Sequence, residues 1–272
     1  MRMVERVSRN LLGLFDKLGR QTVAAVDEYG YTVALLAESF YWIVFGPFRK
    51  QPVRIPSIFS QMMSTGIAAS PIVFILSFAV GIMLAIQGVA TLKTFGAESQ
   101  VVVGIALSEM REFGALITGI LVAGRSGSAL AARIGTMQVN QEIDALRVMG
   151  INPVRYLVSP ALLAMLVMVP TLTFFADLAG MLGGAIYSAL ELGMSYSAYW
   201  DRSIEVLEVD DVMQGLIKSV VFATIIALVG VTNGFAVTGG AEGVGRATTR
   251  AVVLSISYIV IADMIFTYFL NR

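Results

Sequence analysis

The chain has 272 residues, of which 57% are apolar and only 14% are charged, and its mean hydropathy is +0.78. Soluble domains carry about 25% charged residues, so this composition excludes a soluble globular protein, a disordered chain and a nucleic-acid-binding protein. Nineteen basic and nineteen acidic residues cancel, and the apolar content favours an integral membrane protein built of helices.

The residues before the first long apolar stretch predict two helical segments. Residues 1–20 carry apolar side chains at helical spacing, namely Val4, Val7, Leu11, Leu14 and Leu18. Several basic residues accompany them, which predicts an amphipathic helix on an anionic membrane surface, with docking on protein as the alternative. Residues 33–48 are apolar, but short, interrupted by Glu38 and flanked by basic residues, so they indicate an interfacial or re-entrant segment. Because Asp16 and Lys17 break the first apolar run, we expect no cleaved signal peptide.

Five apolar stretches are long enough to span a membrane. They are Ile67–Val89, Val101–Ala123, Val154–Gly193, Val212–Val237 and Ala251–Leu270. The third would be about 60 Å long as one helix. Dividing it in two would place the following basic loops outside the cell, against the positive-inside rule. We therefore predict a single span that protrudes from the membrane and that Pro160 and Pro170 can bend. The chain therefore divides into an N-terminal segment, residues 1–54, and a membrane domain, residues 55–272.

The basic residues determine the predicted orientation. With five spans, the loops on one side hold most of the arginine and lysine, and those on the other side hold only Lys93, Arg202 and Arg272. The positive-inside rule then places the N-terminus in the cytoplasm and the C-terminus outside. The segment Gly124–Pro153 is too polar to span but helical in composition, so we predict a large cytoplasmic helical loop between spans two and three.

Charged residues inside the predicted spans are candidate functional residues, because such charges face a cavity or a partner. Glu109 and Glu112 are three residues apart and are expected to share a helix face, while Arg111 points elsewhere. They either open a polar route for transport or form ion pairs that hold helices together. Asp177 and Asp263 are isolated carboxylates that either face a cavity or take part in packing.

A second polar stripe begins the fourth span. Asp211, Gln214 and Lys218 follow one another at helical spacing. They either form a rim that docks an outer partner, or Lys218 extends to the outer surface as long amphipathic side chains do.

Several catalytic devices are excluded by residue type. The chain has no histidine and no cysteine, so it lacks histidine metal sites and Ser-His or Cys-His pairs, and we expect no catalytic and no metal site. None of the four lysines follows a glycine, so no phosphate-binding P-loop is present. The run Gly124–Gly127 matches the short nucleophile motif of rhomboid-type proteases, but those enzymes need a histidine base, so close helix packing is the simpler interpretation.

Several short runs together resemble the MlaE/YrbE family, the permeases of ABC transporters that work with MCE proteins. The similarity covers roughly residues 55–272, and its runs include Leu107–Gly114, Ala123–Ala129, Met149–Pro153, Ile217–Phe222 and Gly245–Arg250. It implies a homodimeric permease of the bacterial inner membrane, with two copies of a cytoplasmic ABC ATPase, a STAS-domain protein and a periplasmic hexamer of MCE protein. The implied cargo is phospholipid, moved between inner and outer membranes to maintain outer-membrane asymmetry, with ATP used by the ATPase and no cofactor bound by this chain.

The resemblance also implies roles for individual residues. The polar loop is similar to the coupling segment that ABC permeases insert into their ATPase, and its candidate residues are Arg133, Glu142, Asp144, Ala145, Arg147 and Gly150. Candidate residues of a lipid cavity are Glu109, Arg111, Glu112, Lys218, Ile82, Leu84 and Ile86. The last three could equally face the membrane lipid. Asp211 and Gln214 are the candidate contacts to the periplasmic partner.

A different class of protein also fits the membrane carboxylates. A subunit of an ion-gradient-driven transporter or channel would use Glu109, Glu112 and Asp263 to carry ions, and its transport would need a proton or sodium gradient but no ATPase.

Overall fold

The computed structural model describes residues 2–49 and 51–270, and the side chains of residues 19–270 apart from 21, 24, 25 and 50. Several charges used for the orientation lie outside the described part of the chain, namely the residues Lys50 and Arg272 and the side chains of Arg2, Arg6, Arg9 and Lys17. The apolar stripe predicted on residues 1–20 falls on side chains that are likewise outside them, so that stripe stays a prediction.

The described part of the chain is helical and contains no strand. Its helices are α1 (Arg2–Phe45), α2 (Ile55–Lys93), α3 (Glu98–Val139), α4 (Glu142–Val148), α5 (Val154–Leu192), α6 (Tyr196–Val206), α7 (Val209–Phe235) and α8 (Gly240–Leu270). Five of them, α2, α3, α5, α7 and α8, are long and apolar enough to cross a membrane. The all-α fold with five spans is therefore confirmed. The predicted third stretch is one uninterrupted helix, with Pro160 in its first turns and Pro170 inside it.

Helix α1 corrects the prediction of two N-terminal segments. A re-entrant segment would have to turn back within residues 33–48, but α1 runs without interruption to Phe45. The stretch between the two predicted segments contains no proline, and Gly30 destabilises a helix by only about 1 kcal/mol relative to alanine. No residue there is therefore expected to end the helix. The C-terminal half of α1 lies along the bundle, where Glu28 pairs with Arg250 of α8 at 2.6 Å and the hydroxyls of Tyr29 and Tyr258 are 2.8 Å apart.

The predicted polar loop is also different in the structure. Helix α3 does not end near Gly124 but continues to Val139. Its extension carries Leu130 and Ile134 into the main apolar core, so burial of one face outweighs the polarity of the other. Only then does the chain turn, at Gln141, whose φ of 59° is in the left-handed region, and form the short helix α4.

Helices α3, α5 and α7 form the centre of the bundle, with α2 packed mainly on α5, and α8 on α3 and α7. Small residues let the outer helix α2 approach α5 closely. A Cβ atom on Gly81 would lie 1.8 Å from the carbonyl oxygen of Gly180, and one on Gly183 would lie 2.2 Å from that of Phe78. Close backbone approach of this kind is how helices associate in membranes.

The bundle has two ends, which we name after the short helix at each. The α4 end holds α4, the start of α5, the end of α7 and the C-terminal half of α1. The α6 end holds α6, which packs through Tyr199 and Trp200 on α3 and α5.

Candidate functional site

A buried ionic cluster joins α3, α7 and α8. Lys218 of α7 is 1% exposed, and its ammonium group forms an ion pair with Glu112 of α3 and lies 3.2 Å from Asp263 Oδ1 of α8. Lys218 also donates to Thr267 Oγ1 at 3.1 Å, and that hydroxyl donates to Glu112 at 3.0 Å. We call Glu112, Lys218, Asp263 and Thr267 the Lys218 cluster. It places one cation between two carboxylates, so it carries one negative charge in excess when all three are ionised.

The geometry of the Lys218 cluster answers two questions that the sequence left open. Lys218 does not extend to the outer surface, so that interpretation is wrong. Asp263 takes part in an ion pair between helices. Sequence reasoning missed Thr267, although a hydroxyl four residues after Asp263 lies on the same helix face and is a usable signal.

A second ion pair joins α3 to the start of α7. Arg111 Nε donates to Asp211 Oδ1 at 2.7 Å, and Nη2 of the same arginine lies 2.6 Å from that oxygen. Asp211 Oδ2 accepts from the backbone N–H of Glu208 at 2.9 Å, which caps α7. Asp211 is 3% exposed, so the expectation that it contacts a periplasmic partner is wrong for this conformation: its carboxylate is already used within the chain. Gln214 is half-buried on the same helix.

Two further carboxyl groups are buried without partners among the described residues. Glu109 is 0% exposed and neither of its oxygens has a hydrogen bond, and Oδ1 of Asp177 has none either. Both groups occupy space that glycines leave open. A Cβ on Gly180 would lie 1.6 Å from Glu109 Oε1, and a Cβ on Gly114 would lie 1.6 Å from Asp177 Oδ1.

The structure separates Glu109 from Glu112, which the sequence placed on one helix face. Glu109 contacts α5, whereas Glu112 contacts α7 and α8. Residues Glu109–Phe113 form a π turn, whose i→i+5 bonds widen the helix and rotate Glu112, the fourth residue, away from Glu109, the first. Such turns are rare in proteins, but those that occur often lie at functional sites.

The apolar candidates on α2 are not brought into the Lys218 cluster. Ile82 and Leu84 are half-buried, with Leu84 packed against a small apolar cluster that includes Val89 and Val101. Ile86 is exposed on the outer surface of α2. Their assignment to a lipid cavity stays a prediction.

Helix α4 presents most of the predicted coupling residues on one surface. Its buried side chains, Ile143 and Leu146, belong to the main apolar core. Its exposed residues are Glu142, Asp144, Ala145, Arg147 and Val148. Asp144 and Arg147 form an ion pair at 3.0 Å. Gly150, with a φ of 73°, lets the chain turn into α5. The helix is therefore anchored on one side and free for contact on the other.

Arg133 lies apart from these residues. It lines a cavity of about 330 Å³ between α2, α3 and α5, together with Arg125 and Gln61, and no residue of α4 lines that cavity. Arg133 is therefore separate from the α4 surface, and its part in coupling to the ATPase stays a prediction. Among the described residues, no group of three acidic side chains has the arrangement of a metal site.

Five long apolar helices around buried ion pairs define an α-helical multi-pass membrane protein. The family described as Permease MlaE matches residues 58–269, and the chain therefore belongs to the MlaE permease family. A "Probable ABC transporter permease protein" of Rickettsia typhi is 34% identical over 262 residues, which cover 96% of this chain and 99% of that protein.

Two other relatives extend the comparison. The "Intermembrane phospholipid transport system permease protein MlaE" of Haemophilus influenzae is 31% identical over 215 residues, covering 79% of this chain and 82% of its own length. The Arabidopsis thaliana protein "TRIGALACTOSYLDIACYLGLYCEROL 1, chloroplastic" is 38% identical over 209 residues, covering 77% of this chain and 60% of its own length. The chain is thus a membrane-embedded permease of the ABC transporter type.

Proposed function

We propose that this permease moves phospholipid between the inner and outer membranes of a bacterium, driven by ATP hydrolysis in a separate subunit, and so maintains outer-membrane lipid asymmetry. The name of the Haemophilus influenzae relative supports the cargo, since it is called an intermembrane phospholipid transport permease and aligns over most of both chains.

The structural observation that carries the proposal is the Lys218 cluster. Ionisable groups within membrane helices are costly and mark substrate pathways. Glu112 is 27% exposed although its partner Lys218 is buried, so the cluster reaches a surface of the bundle. A phospholipid needs such a surface, because its polar head has to be stabilised while it passes apolar helices. Arg111, whose side chain is 36% exposed, extends the polar surface on the same π turn.

Helix α4 supports the coupling to an ATPase. Its anchor residues Ile143 and Leu146 join it to the core of α3, α5 and α7. A push on its exposed surface is thus transmitted to the bundle as a rigid-body movement. The exposed Val148 and the charged residues Glu142 and Arg147 supply apolar and polar contacts for a partner.

The remaining partners belong to the same proposal. We place the chain in the inner membrane as a homodimer, with its N-terminus in the cytoplasm and its C-terminus in the periplasm. Two ABC ATPase subunits and a STAS-domain protein lie on the cytoplasmic side, and a hexamer of MCE protein lies on the periplasmic side. ATP is bound by the ATPase, and this chain contributes neither a cofactor site nor a catalytic step.

Reconstituted phospholipid transfer tests the proposal. The complex of the chain with its ATPase is placed in liposomes, and transfer of a fluorescent phospholipid to an acceptor is followed with and without ATP. We expect transfer that requires ATP and that falls at least about tenfold in Glu112→Ala, because the polar surface loses one charged hydrogen-bonding group. Glu191→Ala is the matched control, since Glu191 is exposed at the α6 end and pairs with Lys93 only at 3.8 Å.

Two outcomes would contradict the proposal. Transfer that follows an imposed proton or sodium gradient and continues without the ATPase would favour the ion-gradient-driven transporter. Normal transfer by Glu112→Ala, with a large loss of thermal stability, would reduce the Lys218 cluster to a packing element.

A further inference from the structure

Two π turns contact each other beside the cavity that Arg133 lines. One is Met63–Ile67 of α2 and the other is Ala123–Gly127 of α3. The contacts between them are polar: Arg125 Nη1 donates to the carbonyl oxygen of Ser64 at 3.2 Å, and Ser126 Oγ donates to that of Thr65 at 3.2 Å. Arg125 and Ser126, the two central residues of the run Gly124–Gly127, therefore line a cavity of about 330 Å³.

The two arginines of the cavity converge although their backbones are far apart. Arg125 and Arg133 are eight residues apart on α3, about 12 Å along the helix axis. Their guanidinium groups contact Ser64 and Gln61, which are three residues apart and so about 5 Å along α2. With its oxygen turned toward Arg133, the Gln61 side chain accepts from Nη1 at 2.7 Å. These contacts hold both arginine side chains in the lining of the same cavity.

The cavity holds two positive charges and no carboxylate. Its polar lining consists of Gln61, Ser64, Thr65, Arg125, Ser126 and Arg133. Among the described residues, neither arginine forms an ion pair with an acidic side chain, in contrast to Arg111, Arg147, Arg202, Arg246 and Arg250. Each guanidinium has five N–H donors and uses only part of them on α2. Both arginines are exposed where they line the cavity, so their remaining N–H donors are accessible to an anion that enters it.

The apolar lining of the cavity and its position along the bundle indicate which class of anion it would bind. Leu130, Ala161 and Met165 form an apolar wall next to the arginines, so the cavity is amphipathic. Gly230 faces the carbonyl oxygen of Gly127 and lies five residues, about 8 Å, before the end of α7. The cavity therefore lies near the α4 end of the bundle rather than at its middle.

We infer that this cavity is a binding site for a phosphate group, held between the guanidinium groups of Arg125 and Arg133 and assisted by the hydroxyl-rich π turn of α2. Planar guanidinium groups are the preferred partners of phosphate because they can bind two oxygens at once. The phosphate belongs either to a phospholipid headgroup or to free phosphate. The lipid source rests on the proposed function, whereas the phosphate chemistry follows from the cavity itself. The site is distinct from the Lys218 cluster and shares no residue with it.

Calorimetric titration of the full chain in an uncharged detergent tests the inference, without ATP or transport. The probes are dioleoyl phosphatidylglycerol in mixed micelles, dioleoylglycerol as the same acyl chains without phosphate, and inorganic phosphate. We expect phosphatidylglycerol to bind and dioleoylglycerol not to bind. Arg125→Gln and Arg133→Gln should each weaken binding about tenfold, because each removes charged hydrogen bonds to the phosphate. Arg246→Gln is the control, since that arginine is exposed and pairs with Glu242.

The probes distinguish the two sources. Arginine-dependent binding of phosphatidylglycerol that millimolar phosphate does not displace supports a lipid headgroup. Arginine-dependent binding of inorganic phosphate without phosphatidylglycerol binding supports a free phosphate. If neither probe binds in an arginine-dependent manner, or if dioleoylglycerol binds as well as phosphatidylglycerol, the inference is overturned.

A second pair of variants keeps the test decisive if the arginine variants fail to fold. Ala129 is exposed on α3 and lines the cavity between the two arginines. Ala129→Glu introduces a carboxylate that competes for the guanidinium groups, so it should abolish phosphate binding, while Ala129→Gln of equal size should retain it. Equal binding by the two variants would contradict the inference. Because transport is not measured, a chain that binds the phosphate group but transfers no lipid would overturn only the proposed function.

Discussion

Lys218 of α7 forms an ion pair with Glu112 of α3, 106 residues away in the chain, although the lysine side chain is only 1% exposed. Asp263 of α8 lies on the other side of the same ammonium group. One buried cation thus connects three helices, so removing the cation leaves two carboxylates unpaired, whereas removing one carboxylate leaves an ion pair.

We expect Lys218→Met to destabilise the bundle more than Glu112→Gln does. The lysine variant leaves Glu112 and Asp263 facing each other without a cation, and breaking a buried pair in this way costs about 3–5 kcal/mol. Glu112→Gln leaves the pair between Lys218 and Asp263 intact, and the amide can still accept a hydrogen bond. Thermal unfolding in detergent measures the difference. An equal or larger loss in Glu112→Gln would show that Asp263 contributes nothing to the cluster.

We expect Glu142→Lys to weaken binding of the ATPase without changing the fold of the membrane part. Glu142 is exposed at the start of α4 and contacts only the side chain of Asn140 among the described polar groups, at 3.2 Å. Reversing its charge alters the contact surface and the favourable interaction with the helix N-terminus, which is worth less than about 1 kcal/mol. Co-purification of the ATPase is the measurement. Glu242→Lys, which changes an exposed glutamate at the start of α8, is the control. Unchanged co-purification of the ATPase with Glu142→Lys would contradict a contact through α4.

We expect Gly81→Ala to be strongly destabilising and Gly104→Ala to be neutral or slightly stabilising. A Cβ on Gly81 would lie 1.8 Å from the backbone oxygen of Gly180, so α2 and α5 would have to move apart. Gly104 has no atom within 4 Å of the added Cβ, and alanine is favoured over glycine in a helix by about 1 kcal/mol. The midpoints of thermal unfolding compare the two variants. Similar midpoints would mean that α2 does not depend on close contact with α5.

We expect the buried Tyr199 to make the protein less stable at strongly alkaline pH. Burial, and then the neighbouring carboxyl group of Glu109, raise the pKa of Tyr199 above its usual value of about 10. Below pH of about 10 the phenol is neutral in both the folded and the unfolded state. Above it, the unfolded phenol loses its proton first, so the free energy of unfolding falls as pH rises.

Tyr199→Phe tests this effect, because it removes the ionisable group and keeps the ring. Its hydroxyl has no hydrogen-bond partner among the described residues, so the change is expected to cost less than about 1 kcal/mol at neutral pH. The difference between unfolding midpoints at about pH 8 and about pH 11 should shrink in Tyr199→Phe. Tyr196→Phe, which changes an exposed tyrosine of the same helix, should behave as the wild type. An unchanged difference in Tyr199→Phe would contradict the assignment.

The five membrane helices could be predicted because the signal for each is local. An apolar stretch such as Val212–Val237 has to leave water whatever its neighbours are, and its length decides that it can span. The single helix at Val154–Leu192 followed from the distribution of basic residues, and the structure confirms it. The ends of the helices were harder to predict from the sequence. Helix α3 continues to Val139 because Leu130 and Ile134 pack into an apolar core that only the folded bundle provides.

The charges within the membrane helices are visible in the sequence, but most of their partners are not. A charge inside an apolar stretch is visible in the sequence, and Glu112, Lys218 and Asp263 were all selected on that ground. Their pairing was not visible, and neither was the π turn that separates Glu109 from Glu112, since an extra residue per turn leaves no sign in the spacing of side chains.

The sequence by itself determined the class of protein, the number of membrane helices and the residue types that are buried at a cost. These follow from composition and from spacing along the chain, and neither depends on contacts between distant residues. Only the tertiary structure decided that Lys218 meets Glu112 and Asp263, that Arg111 meets Asp211, and that Arg125 and Arg133 converge on one cavity. The physical reason is that such groups interact strongly only within a few ångströms. Whether residues far apart in the chain come that close depends on how whole helices pack.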